Sequence, residues 1–158
     1  MAKHIEVTRS FYAPVEMVWK VWTDPELLKR WWGPKYFSSP VAKLNFREGG
    51  QSIVSMKAPK EMGEQEFFSV WVYVKIIPLK TIEFIQSLSD EEGNKIDPAK
   101  VGMPPDFPMD IRTVVTFKEL GNNKTEMTVT EYADFGTISN FAQIGLEQSI
   151  DKMIGIFS

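Results

Sequence analysis

Between Phe37 and Tyr132 the apolar residues recur at every second position, whereas on both sides of that stretch they recur every three or four. This double change of period constrains the chain more than any other feature: strands must dominate its middle and helices its flanks. Ile5 and Val7 alternate with polar neighbours and predict a first strand over about residues 4–11. Pro14 then opens a helix at its first position, where a missing N–H costs nothing, and Val15, Val18, Trp19 and Trp22 line one face. Asp24-Pro25 supplies a cap and a first-turn proline for a second short helix carrying Leu27, Leu28 and Trp31 until Gly33-Pro34 stops it.

The alternating stretch divides at turn signals into strands over about 38–46, 51–58, 66–77, 80–88, 111–119 and 124–133. Short connections between them imply an antiparallel meander. Asn123-Lys124-Thr125 reads as a glycosylation sequon, but it follows Gly121-Asn122 in a run typical of a hairpin turn. The connection from Ser89 to Asp110 is far longer, and loops of such length are functional covers or unstructured. A long helix over about 137–157 ends the chain, with Leu146, Ile150, Met153 and Phe157 as its apolar stripe. Beside that stripe stand the small residues Ala142, Gly145 and Ser149. A sheet curled against such a helix either fills the space they leave with its own side chains or encloses a cavity.

Composition narrows the function classes. The 158 residues suit one domain over 1–158, and no linker or repeat divides them. With 18 Lys or Arg against 21 Asp or Glu, the chain lacks the basic footprint of a nucleic-acid binder. No Cys is present and His4 is the one histidine, which argues against disulfides, thiolate chemistry and His-rich metal sites. No stretch is apolar enough to insert in a membrane or to act as a signal peptide, so the expected location is cytoplasmic. Phosphate-binding, dinucleotide, zinc-protease and nucleophile-elbow motifs are absent, and no cofactor or metal is expected.

Several runs carry a family resemblance. They are Ala13-Pro14-Val15-Glu16-Met17-Val18-Trp19, Thr23-Asp24-Pro25-Glu26-Leu27, Trp31-Trp32-Gly33-Pro34, Arg47-Glu48-Gly49-Gly50, the acidic turn Ser89 to Asn94, the loop Gly102-Met103-Pro104-Pro105-Asp106-Phe107-Pro108, and Gly145 to Met153. In this order they resemble the family named after the activator of heat-shock protein 90 ATPase, within the START-related (SRPBCC) superfamily. Two positions depart from the pattern: Leu146 stands where relatives often carry Trp, and Asn45 where many carry Asp. The resemblance implies an α+β helix-grip fold, a curved antiparallel sheet of about seven strands wrapped around a long C-terminal helix. It also implies that apolar molecules bind between sheet and helix.

Strand parity nominates interior residues: Met56, Phe84, Gln86 and Glu131, with Trp71 if the 66–77 strand turns that face inward. Gln86 and Glu131 either orient a ligand in an apolar pocket, or Gln86 is satisfied by backbone and Glu131 is exposed at a strand end. Trp31 and Trp32, with Met103, Phe107 and Met109 of the long loop, either line a pocket mouth or plug the sheet end. Phe141 and Gln148 on the last helix complete the candidates. Three carboxylates, Glu83, Asp110 and Glu131, would support acid/base catalysis if they converged, although Glu83 alternates with Ile82 and Phe84 and is expected to face solvent.

The leading expectation is a noncatalytic binding domain for a small apolar or amphipathic molecule. One alternative is a co-chaperone-like module that contacts heat-shock protein 90, which the family name favours. Another is a cyclase, aromatase or hydrolase acting in the cavity. Two copies pairing through an edge strand or the helix would give a homodimer.

Overall fold

The computed structural model describes residues 3–157. Strand β1 (Ile5–Phe11) leads into helices α1 (Val15–Thr23) and α2 (Pro25–Leu28). Strands β2 (Ala42–Lys43), β3 (Gln51–Lys57), β4 (Glu66–Ile77), β5 (Thr81–Ser89), β6 (Ile111–Gly121) and β7 (Lys124–Tyr132) follow, and helix α3 (Ser139–Ile156) ends the fold. All strands pair antiparallel in one seven-stranded sheet with the order β1-β7-β6-β5-β4-β3-β2. The first strand closes onto the last, so α3 leaves β7 and packs back across β1. This is the helix-grip arrangement.

Most element positions follow the expected order, with four corrections. The strand expected over 38–46 is reduced to Ala42–Lys43 and an isolated bridge between Ser38 and Lys57. Pro40 has no N–H for a ladder, and the amide of Asn45 donates to the Ser52 hydroxyl rather than to a strand. Pro14 is the residue before α1 rather than its first position, and its carbonyl accepts from Met17 and Val18. The last helix begins at Ser139 behind a single 3-10 turn, Gly136–Ile138.

Helix α2 also ends earlier than expected, leaving Trp31 in the hydrogen-bonded turns that follow it. Asp24 caps α2 by accepting from the Glu26 amide at 2.9 Å. Pro25 has no N–H to give the Val21 carbonyl four residues earlier, and the Trp31 indole fills that role, donating to Val21 O at 2.8 Å. The sharp turn between the two helices is fixed by this exchange of a backbone donor for a side-chain donor.

On β4 the inward face is Phe67, Ser69, Trp71 and Tyr73, until a bulge between Tyr73 and Lys75 shifts the register. Val70 points the other way yet is buried, because the acidic turn at Gly93 folds over the outer face beside Ile53 and Val70. The β6–β7 hairpin turns on Asn122 and Asn123, both at positive φ (54° and 56°), as a two-residue turn requires. In the preceding β2–β3 turn, a Cβ on Gly50 would collide with the Asn45 carbonyl, so only glycine fits there.

Candidate functional site

The interior between sheet and α3 is solid at one end and hollow at the other. The solid end is an aromatic cluster. Trp22 of α1 packs on Trp31 at 4.6 Å between ring centroids, and Trp71 of β4 stacks on Phe84 of β5 at 4.3 Å. The Trp22 indole also donates to the Met127 sulfur at 3.2 Å. Trp31, Trp71 and Phe84 do not line the hollow: Trp31 takes the plugging alternative, while Trp71 and Phe84 lie on the inward face as nominated but pack there instead of bordering a ligand site. The reason is positional: α1 and the turns after α2 drop Trp22 and Trp31 onto the same part of the concave face that these strand residues occupy.

The hollow end is a cavity of about 320 Å³. Its floor comes from the sheet, with Met56 of β3, Phe67 and Ser69 of β4, Gln86 and Leu88 of β5, Ile111 of β6 and Glu131 of β7. Its roof is α3, which presents Ala142, Gly145, Leu146 and Ser149, so the small residues open space rather than admit filling side chains. Trp32 and Phe37 close the side next to the aromatic cluster. Met103 and Phe107 of the long connection, with Phe135, cover the cavity, and Phe141, 75% exposed, stands at its rim.

The long connection is pinned at several points. Ile96 donates its amide to Leu88 O, Gln65 Nε2 donates to Val101 O at 3.2 Å, and Asp106 accepts from the Thr137 amide at 2.9 Å. The last bond ties the cover to the start of α3 and fits because Gly136 has no side chain to meet Asp106.

Two further candidates lie outside the cavity. Met109 is half exposed beside Asp110 and points away from the lining. Gln148 accepts from the Lys35 amide at 3.1 Å, because it sits about 100° around α3 from Ser149 and faces the Pro34–Lys35 turn. Pro34, Phe37, Phe135 and Ile138 also line the cavity but were not nominated. They belong to irregular segments where no period marks an inward face.

The cavity's polar feature is the pair Gln86 and Glu131. Gln86 Nε2 donates to Glu131 Oε2 at 2.7 Å and to Thr113 Oγ1 at 3.1 Å. Gln86 is thus satisfied by side chains, not by backbone, and Glu131 is 8% exposed rather than bare at a strand end. Burial pushes the Glu131 carboxyl up to about 7, against a smaller opposing effect of the Gln86 bond. The other two carboxylates do not join it. Glu83 lies on the opposite face of β5 and accepts from Arg112 Nε at 2.9 Å. Asp110 accepts from Lys95 and Ser87, which hold it below the ordinary carboxylate range.

Among the described residues no three His, Asp or Glu side chains are grouped to hold a metal ion, and no helix is long and apolar enough to cross a membrane.

Comparison with known proteins bears on the fold and the family. A solution structure of a protein from Arthrobacter aurescens is 22% identical, with a TM-score of 0.82 over 99% of this chain and 86% of that one. A crystal structure from Chromobacterium violaceum is 20% identical, with a TM-score of 0.79 over 98% of this chain and 96% of that one. The AHSA1 protein of Silicibacter pomeroyi is 15% identical, with a TM-score of 0.74 over 98% of this chain and 96% of that one. At these identities the likeness establishes a shared fold. No curated protein matches the sequence. Residues 12–157 match the family described as Activator of Hsp90 ATPase homolog 1-like protein, and the chain belongs to that family.

Proposed function

We propose that the chain is a binding domain for one small amphipathic molecule held between the sheet and α3. The observation that carries this reading is the cavity itself, whose volume of about 320 Å³ falls at the lower end of the ~300–1,000 Å³ range of ligand pockets. Its wall combines aromatic and Met side chains with one hydrogen-bonded polar pair, the composition that lets an apolar body be buried and its polar end be oriented. Filling such a space returns roughly 25 cal/mol per Å² of apolar surface, so an occupant raises the melting temperature measurably.

The test is differential scanning fluorimetry with native mass spectrometry against alkyl and aromatic amphiphiles of about ten to twenty heavy atoms, a size set by pockets at this end of the range. A one-to-one complex with a raised melting temperature is expected, and Ala142→Leu, which extends a side chain into the roof, should abolish it. The reading fails if no member of the panel binds the wild-type chain, or if the Ala142→Leu variant binds them equally well.

A further inference from the structure

The chemistry facing the cavity is one-sided. Its lining contains one acidic side chain, Glu131, and no Lys, Arg or His. Lys152 of α3 is outside the lining and spends its ammonium on the Phe37 carbonyl at 3.0 Å. Both hydrogens of the Gln86 amide are committed to Glu131 and Thr113, which leaves Gln86 Oε1 and Glu131 Oε1 without a protein partner. Gln86 and Glu131 both line the cavity, whose only other polar side chains besides the Trp32 indole are the hydroxyls of Ser69, Ser87 and Ser149, and whose wall holds no cation. An acceptor without a partner beside an apolar space is better satisfied when an occupant supplies the hydrogen.

We infer that the occupant's polar end is a basic nitrogen, an ammonium or protonated amine that donates to Glu131 and Gln86, and that anionic amphiphiles are excluded. This rests on the binding role proposed above and names the class of ligand for the same site. A carboxylate-ended molecule would set acceptor against acceptor and negative charge against negative charge, with no cation in the wall to offset either. A basic nitrogen reverses both terms, and the charge on Glu131 that burial disfavours becomes a paired charge. The walls are compatible with the same choice, since Trp32, Phe37, Phe67, Phe107 and Phe135 line the space and an aromatic ring attracts a cation that reaches its face.

The groups around Glu131 do not supply a competing charge. Ile5 of β1 and Thr113 of β6 oppose it across the sheet, Gln86 of β5 bonds it, and α3 contributes Ala142, Gly145, Leu146 and Ser149 to the same cavity. None of these side chains ionises.

The experiment titrates the full chain by calorimetry at pH 8 with three probes sharing one apolar body: 4-phenylbutylamine, 4-phenylbutanol and 4-phenylbutyrate. The amine is expected to bind at least about tenfold more tightly than the alcohol, and the carboxylate at least about tenfold more weakly, a factor of ten corresponding to one good charged interaction. Glu131→Gln should bring the amine down to the level of the alcohol. A second readout needs no variant: at pH 6.5, titration in buffers of different ionisation enthalpy should show a proton leaving the protein on amine binding and none on alcohol binding. Equal affinities for all three probes, tighter binding of the carboxylate, or no proton release with the amine would overturn the inference while leaving a binding cavity in place. Absence of binding by these probes and by the wider panel would overturn both.

Discussion

Gln86 and Glu131 sit on strands separated by β6, yet their side chains meet at 2.7 Å over Thr113, so one amide bridges three strands from inside the fold. The carboxyl it touches titrates near 7 in the folded chain rather than at its ordinary 4.5, because burial disfavours the charged form.

A stability profile follows with a defined sign. A carboxyl whose folded pKa is raised contributes stability that is fully present below about 4.5 and is lost as pH rises through about 7. The loss amounts to about 3 kcal/mol by pH 8, the value of that difference in proton affinity. Urea midpoints should therefore fall between pH 5 and pH 8 in the wild type, and Glu131→Gln should flatten the slope and be the more stable protein at pH 8. Asp90 and Asp110 are held below the ordinary carboxylate range, so their titration lies under this window. Parallel slopes for the two proteins would contradict the assignment.

Tyr73 makes the corresponding case at alkaline pH. Its hydroxyl lies 2.8 Å from Ser52 Oγ, which also accepts from the Asn45 amide at 3.1 Å. Burial, partly opposed by the Ser52 bond, pushes the phenol up to about 12. Absorbance at 295 nm should show one of the four tyrosines ionising late, near pH 12, and Tyr73→Phe should delete that step. The stability this phenol lends is present below about 10 and disappears as pH climbs toward 12, so alkaline unfolding should coincide with the late step.

The order of helices and strands is legible in the sequence because burying one face of each element imposes a period on it. The short β2 is not, since Phe37 to Phe46 has strand-like composition while Pro40 and the Ser52 hydroxyl withdraw its backbone from the ladder. The cavity's roof is visible in the spacing of Ala142, Gly145 and Ser149, and its polar pair in the inward parity of Gln86 and Glu131. Which aromatic residues fill space and which border it is not visible, because adjacent residues meet opposite fates. Trp31 is claimed by a carbonyl that Pro25 leaves free, whereas Trp32 turns to the cavity. Phe37 and Phe135 carry no signal, since irregular backbone has no inward parity to read.

That divergence predicts unequal outcomes for one chemical change. Trp31→Phe removes the donor to Val21 O and shrinks a fully buried side chain, so it should cost about 2–4 kcal/mol. Trp32→Phe removes an indole N–H that has no partner, and its cost should be confined to lost contact area, about 1–2 kcal/mol. Ligand affinity should change in the opposite order, with Trp32→Phe shifting it and Trp31→Phe leaving it near wild type in the protein that remains folded. Chemical denaturation and calorimetry on both variants check the pair, and equal destabilisation would show that the Trp31 bond carries nothing.

Gly145 sets stability against binding at a single position. It lies inside α3, where glycine costs a helix about 1 kcal/mol relative to alanine. A Cβ built there meets Pro34 Cβ and Cγ at 3.9 Å, an ordinary contact, so nothing steric forbids alanine. Gly145→Ala should raise stability by up to about 1 kcal/mol. The added methyl enters the roof of the cavity beside Pro34, also a lining residue, and removes space from an occupant. Affinity for a ligand that fills the cavity should fall as stability rises, while a smaller ligand is bound unchanged. If the variant gained stability and kept full affinity for the largest ligand, α3 would not be the wall that limits the size of the occupant.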